Sequence, residues 1–140
     1  MYSVLVVDDE KIIRDGVSEL LKLEETLELD VVSAASVSDA LLLLESRMFD
    51  IIITDIRMPQ LSGLDFFDVI LKRWLRSRVI FLTGLSEFEY VYKVQNHAKY
   101  VLKSDGDEKI LAAIKETIAE IENDLYIDQT THSNKALARV

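Results

Sequence analysis

The sequence predicts an α/β fold, a single parallel sheet with helices on both faces. Three observations lead there. Short, continuous apolar runs rich in Val and Ile recur along the chain, as strands buried on both faces require. Segments with helical spacing of apolar residues separate them, the alternation that produces parallel sheets. Four of the runs end in residues that bear chemistry: Asp8-Asp9, Asp55, Thr83 and Lys103. In a parallel sheet those carboxyl ends share one edge, where open α/β sheets bind ligands.

The elements follow in order. Residues 3–8 are short, apolar and Val-rich, and read as a buried strand. Residues 11–23 place Ile13, Val17, Leu20 and Leu21 on one helical face. A second strand fits Leu29 to Ala35, and a second helix fits 37–47, capped by Ser36 or Ser38 with Ala40, Leu41 and Leu44 inward. The third strand is 50–55. Ser62-Gly63 opens a third helix carrying Leu64, Phe67, Leu71 and Trp74. The fourth strand is 78–83, a weaker fourth helix follows at 86–96, and the fifth strand lies at 99–103. Asp107 and Glu108 start a last helix, in the first turn where the helix dipole favours acids. Its apolar residues run at helical spacing from Ile110 to Leu125. Right-handed crossovers restrict how five such strands and five helices can be wound. From Tyr126 onward the chain turns polar and loses its period, so 1–125 is expected to be the folded domain and 126–140 a linker or tail toward an effector domain beyond Val140.

Composition narrows the function. The 140 residues fit one domain, and 49% hydrophobic residues can fill a core. No apolar stretch reaches the roughly 18 residues of a membrane span, and no basic, signal-like segment precedes the first strand. There is no cysteine, which excludes disulfides and thiolate metal sites. A cytoplasmic protein is expected. The formal net charge of −9 argues against direct nucleic-acid contact by this segment. His97 and His132 have no ligand partner at helical spacing and read as ordinary imidazoles.

The clustered acids are the informative part. Asp8, Asp9 and Asp55 offer oxygen ligands to a hard cation, and Mg²⁺ prefers such ligands. A backbone carbonyl at Arg57 could add another oxygen. Asp55 is placed to act as nucleophile, because carboxylates can form aspartyl-phosphates. Lys103 and Thr83 would supply an ammonium and a hydroxyl to the oxygens of a phosphoryl group, which brings roughly −2 charge. Each residue alone has a plainer explanation: Asp-Asp as a helix cap, Thr83 as a strand-end hydroxyl, Lys103 as a solvated lysine, Tyr100 as a strand aromatic. Their joint placement at matching strand ends favours the site.

These pieces resemble the response-regulator receiver domain of two-component signalling. The resemblance rests on Val6-Val7-Asp8-Asp9-Glu10, on Asp55-Ile56-Arg57-Met58-Pro59 with Gly63, on Thr83-Gly84, and on Tyr100-Val101-Leu102-Lys103, and it covers about residues 2–125. It implies a flavodoxin-like three-layer sandwich with strand order 2-1-3-4-5. It further implies that Asp55 accepts phosphate from a sensor histidine kinase and that Asp8 and Asp9 hold Mg²⁺. Thr83 and Lys103 would contact the phosphoryl group, and Tyr100 would report the switch. The face made by the fourth helix, the fifth strand and the last helix would change, and could pair in a homodimer. Asp55-Ile56-Arg57-Met58-Pro59 and Phe88-Glu89-Tyr90 resemble regulators with an AraC-type DNA-binding half.

Two departures bear on mechanism. Ser104 follows Lys103 where the family usually has proline after a cis bond; a cis bond before a non-proline residue costs about 2.5–4 kcal/mol, so a trans bond is expected. Leu85, two residues after Thr83, could obstruct an attacking water and slow self-dephosphorylation. Three other functions compete. A haloacid-dehalogenase-like phosphatase wants an acid where Arg57 stands. A flavodoxin-like electron carrier wants a phosphate-cradling first loop where Asp8-Asp9-Glu10 stands. A pseudo-receiver would never take phosphate, against which the complete acid set speaks.

Overall fold

The computed structural model describes residues 1–74, 76–84 and 98–138, with side chains described as far as residue 127. The described elements are β1 (Tyr2–Val7), α1 (Lys11–Leu23), β2 (Leu29–Ala34), α2 (Val37–Ser46), β3 (Ile51–Thr54), α3 (Gly63–Arg73), β4 (Arg78–Thr83), β5 (Ala98–Leu102), a 3₁₀ turn (Lys103–Asp105) and α4 (Asp107–Ala138). The helix expected at 86–96 lies outside the described residues.

The five strands are all parallel and lie in the order β2-β1-β3-β4-β5. Although the strands are apolar throughout, successive side chains still point to opposite faces. Leu5, Val7, Ile52, Val79 and Phe81 pack with α2 and α3 around Phe49 and Phe66. Val4, Val6, Ile51, Ile53, Ile80 and Leu82 pack with α1 and α4 on the other face. The result is a flavodoxin-like three-layer sandwich.

Local chemistry sets the boundaries. Ser36, not Ser38, caps α2: its Oγ accepts the Asp39 N–H at 3.1 Å. Ser62 caps α3 by accepting the Asp65 N–H at 3.2 Å. Gly63 is fixed by close approach. A Cβ there would stand 2.0 Å from the Asp55 carbonyl oxygen, so only glycine lets the helix start against the end of β3. β5 ends at Leu102, and Lys103 opens the 3₁₀ turn rather than closing the strand. Gly106 leaves that turn with φ +89°, which glycine adopts without strain.

The last helix does not stop where the apolar period does. Its backbone continues to Ala138, because no Gly or Pro occurs after Gly106 to break it. Leu125, Tyr126 and Ile127 are exposed, so this extension lies outside the core. No helix among the described residues is long and apolar enough to cross a membrane.

Candidate functional site at the carboxyl edge of the sheet

Register brings the site together. Val7 pairs with Thr54, so Asp8 and Asp55 leave neighbouring strands side by side. The Asp55 N–H donates to the Val7 carbonyl at 3.3 Å and the Asp8 N–H to the Ala34 carbonyl at 3.2 Å, extending the ladder past the strand ends. Thr54 pairs with Phe81, which sets Thr83 beyond Asp55 on the next strand. Thr83 in turn pairs with Leu102, directly before Lys103.

Asp8, Asp9 and Asp55 each place a carboxylate oxygen within 4.8 Å of the others. Asp8 and Asp55 are buried, and Asp9 is exposed. Lys103 reaches into this group: its Nζ lies 2.9 Å from Asp55 Oδ2, 3.0 Å from Asp8 Oδ2 and 3.4 Å from Glu10 Oε1. The other oxygen of each buried acid is held by backbone. Asp55 Oδ1 accepts the Ile56 N–H at 2.7 Å, with the Arg57 N–H at 3.4 Å. Asp8 Oδ1 accepts the Glu10 N–H at 2.9 Å. Arg14 donates from Nη1 to the Asp8 carbonyl at 2.8 Å.

The electrostatics follow from burial. Burial pushes the Asp8 carboxyl above its ordinary value; the Glu10 N–H and Lys103 pull it partly back, and the Asp55 charge adds to the rise. Burial alone would lower Lys103. Its hydrogen bonds and charge interactions with Asp55 and Asp8 more than reverse this, and the ammonium is held firmly protonated. Crowded oxygen donors of this kind suit a hard divalent cation.

Every site residue expected from the sequence that lies in the described region is at this edge or beside it. Thr83 is buried at the end of β4. Arg57 is exposed, directly after the Asp55-Ile56 step. Tyr100 is half-buried and packs on the α2–α3 side of the sheet, the face opposite α4. The Lys103–Ser104 bond is trans, as expected, and Lys103 reaches both acids from it. Leu85, Phe88, Glu89 and Tyr90 lie outside the described residues.

Three features of the site carry little sequence signal. One is Arg14, whose partner is a backbone carbonyl. Another is the γ-turn at Gln60, with φ +68° and the Leu61 N–H bonded to the Pro59 carbonyl at 2.8 Å. The third is a cavity of about 430 Å³ in the β3–α3 connection that follows Asp55, lined by Ile56, Arg57, Met58, Pro59, Ser62 and Leu64.

Comparison with known proteins agrees with this geometry. The family model described as "Response regulator receiver domain" matches residues 4–115. A Bacillus subtilis protein named as the uncharacterized transcriptional regulatory protein YesN is 28% identical over 143 residues, covering 100% of this chain and 39% of the relative. The chain thus spans about two fifths of the length of that curated relative. The crystal structure of a two-component transcriptional regulator AraC from Clostridium phytofermentans superposes with a TM-score of 0.78 at 29% identity, covering 90% of this chain and 98% of the other. The response regulator TrrA of Thermotoga maritima, solved in complex with Mg²⁺-BeF, gives 0.75 at 31% identity, covering 84% and 99%. Shared strand order, the acid cluster at the carboxyl edge and the family match over most of its length lead to one conclusion: this chain belongs to the response regulator receiver domain family.

Proposed function

We propose that the domain is a phosphorylation-dependent switch with Asp55 as phosphoacceptor and a sensor histidine kinase as donor. The observation that carries this reading is the convergence of three carboxylates and one half-buried ammonium at one strand edge. A carboxylate oxygen of Asp55 attacks the phosphorus of a phosphohistidine. The P–N bond breaks, and its electron pair stays on the imidazole. The backbone N–H of Ile56 fixes the plane of the Asp55 carboxylate, so the nucleophile is oriented before the donor arrives.

Asp8, Asp9 and Asp55, with the backbone carbonyl of Arg57, would hold Mg²⁺. The ion would offset the negative charge that the acids and the phosphoryl group bring together. Lys103, already poised between Asp8 and Asp55, pairs with a phosphoryl oxygen, and the Thr83 hydroxyl donates to another. Movement of Thr83 shifts the half-buried Tyr100 and the β5–α4 surface, including the face suited to a homodimer. The output is transcriptional, as the names of the relatives suggest. Residues 1–125 act as the input domain, and 126–140 lead toward a DNA-binding effector. The setting for such a phosphorelay is the cytoplasm.

The test is incubation with acetyl phosphate, with and without Mg²⁺, followed by intact mass. The expected result is one phosphate adduct that requires Mg²⁺ and is abolished by Asp55→Asn. An adduct that survives Asp55→Asn overturns the assignment of the acceptor. Absence of any adduct, with Mg²⁺ binding intact, leaves a pseudo-receiver that works by interaction alone.

A further inference from the structure

Helix α1 breaks a rule that the other described helices obey. α2 and α3 have serine caps, and α2, α3 and α4 carry acids in the first turn. α1 has neither a side-chain cap nor an acid there. Within its first four residues it carries two cations instead, Lys11 and Arg14. Cations at a helix N-terminus oppose the dipole, at a cost of about 0.3–1 kcal/mol each. Lys11 has a local partner, Asp15, at 2.6 Å. Arg14 turns the other way and donates to the Asp8 carbonyl at 2.8 Å. Local violations of this kind tend to fall at functional sites.

The contact has a specific consequence. The Asp8 N–H is bonded to Ala34, and its carboxylate oxygens to the Glu10 N–H and to Lys103. Its carbonyl belongs to the Asp8–Asp9 peptide, and that peptide sets where the Asp9 side chain departs. Asp9 is the exposed member of the acid cluster. We propose that Arg14 is a positioning residue for the cation site, clamping the Asp8–Asp9 peptide so that the Asp9 carboxylate stays within reach of Asp8 and Asp55. This rests on the reading of those acids as the Mg²⁺ site. Groups that orient ligands from behind typically govern about 10- to 100-fold in metal affinity.

Positioning and plain charge predict opposite signs. A guanidinium beside three acids repels a divalent cation, so if charge were its only role, removing it would tighten Mg²⁺ binding. The experiment titrates Mg²⁺ calorimetrically into the wild-type chain and into Arg14→Lys, Arg14→Gln and Arg14→Met, and records the acetyl phosphate adduct rate at low and saturating Mg²⁺. Arg14→Met is expected to weaken Mg²⁺ binding about 10-fold, with the rate restored at saturating Mg²⁺. Arg14→Lys and Arg14→Gln, which keep an N–H donor, are expected to recover most of the affinity. Unchanged or tighter binding in Arg14→Met overturns the proposal, as does a lower melting temperature with affinity unchanged in all three variants. If Arg14→Met does not fold, Arg14→Ala, which also lacks the donor, takes its place: Mg²⁺ binding about 10-fold weaker than in Arg14→Lys supports the clamp, and equal or tighter binding overturns it. If the wild-type chain binds no Mg²⁺, the reading of the acids fails first, and the clamp falls with it.

Discussion

Lys99 and Lys103 stand near opposite ends of β5; Lys99 bridges two carboxylates and Lys103 bridges two buried ones with exposed Glu10 beside them, yet the two bridges are not alike. Lys103 lies between Asp55 and Asp8, whose side chains are 8% and 4% exposed. Lys99 pairs with Glu120 at 2.7 Å and Glu116 at 3.4 Å, both on α4 and 51% and 67% exposed. The difference is in what replaces a lost partner. At the amino edge, water solvates Glu116 and Glu120 whether or not Lys99 is present. At the carboxyl edge, water has little access, and removing Lys103 leaves two buried carboxylates facing each other. An ammonium of the same chemistry is therefore optional at one end of the strand and structural at the other. Two further pairs at the amino edge follow Lys99: Tyr2 donates to Glu122 at 2.9 Å and Arg78 pairs with Asp124, both in exposed surroundings.

The largest effect is expected from Lys103→Met. Breaking a buried ion pair by deleting one partner costs about 3–5 kcal/mol. Urea denaturation without divalent cations should show that loss. Added Mg²⁺ should then stabilise the variant more than the wild type, because the ion takes over the charge and no ammonium competes for Asp8 and Asp55. A loss below about 1 kcal/mol would place this bridge with the exposed pairs and erase the contrast.

Two glycines sharpen the contrast by packing rather than charge. Gly63 sits against the backbone of Asp55 and Ile56, where a Cβ has no room. Gly63→Ala should cost about 3 kcal/mol, the upper end of overpacking losses, and should weaken Mg²⁺ binding because Asp55 must shift. Gly16 lies inside α1, and a methyl added there would meet nothing within 4 Å. Gly16→Ala should stabilise by about 0.5–1 kcal/mol through helix propensity alone. Thermal melts of the two variants should move in opposite directions.

The same contrast explains what the sequence can reveal. Asp8, Asp9, Asp55, Thr83 and Lys103 are legible because each follows an apolar run, and parallel register converts that order into proximity. Strand order needs the family resemblance, since composition cannot say which strands are neighbours. Arg14 is hidden because its partner is a carbonyl, which every residue has. The left-handed Gln60 is hidden because glutamine carries no preference for positive φ. The length of α4 escapes for a different reason. Loss of apolar period marks where packing ends, and the backbone can remain helical wherever no glycine or proline intervenes.

The smallest effect should come from Lys99→Met. Exposed ion pairs contribute about 0–1 kcal/mol, so the loss at neutral pH should fall in that range and shrink further with salt. Its pH dependence has a definite sign. Burial by itself lowers the Lys99 pKa, but the hydrogen bond and charge of Glu120, followed by those of Glu116, outweigh it, and the folded value lies above the ordinary 10.5. The folded state therefore holds this proton more tightly than the unfolded chain does. The contribution is complete below 10.5 and disappears as pH rises through the higher folded value. Urea midpoints of the wild type and Lys99→Met should differ by a small constant amount from neutral pH upward and converge only in strong alkali. A difference of several kcal/mol, insensitive to salt, would mean that the amino edge holds α4 as tightly as the carboxyl edge holds its acids. The extension of α4 past Leu125 would then leave the domain from a rigid mount rather than from a solvated one.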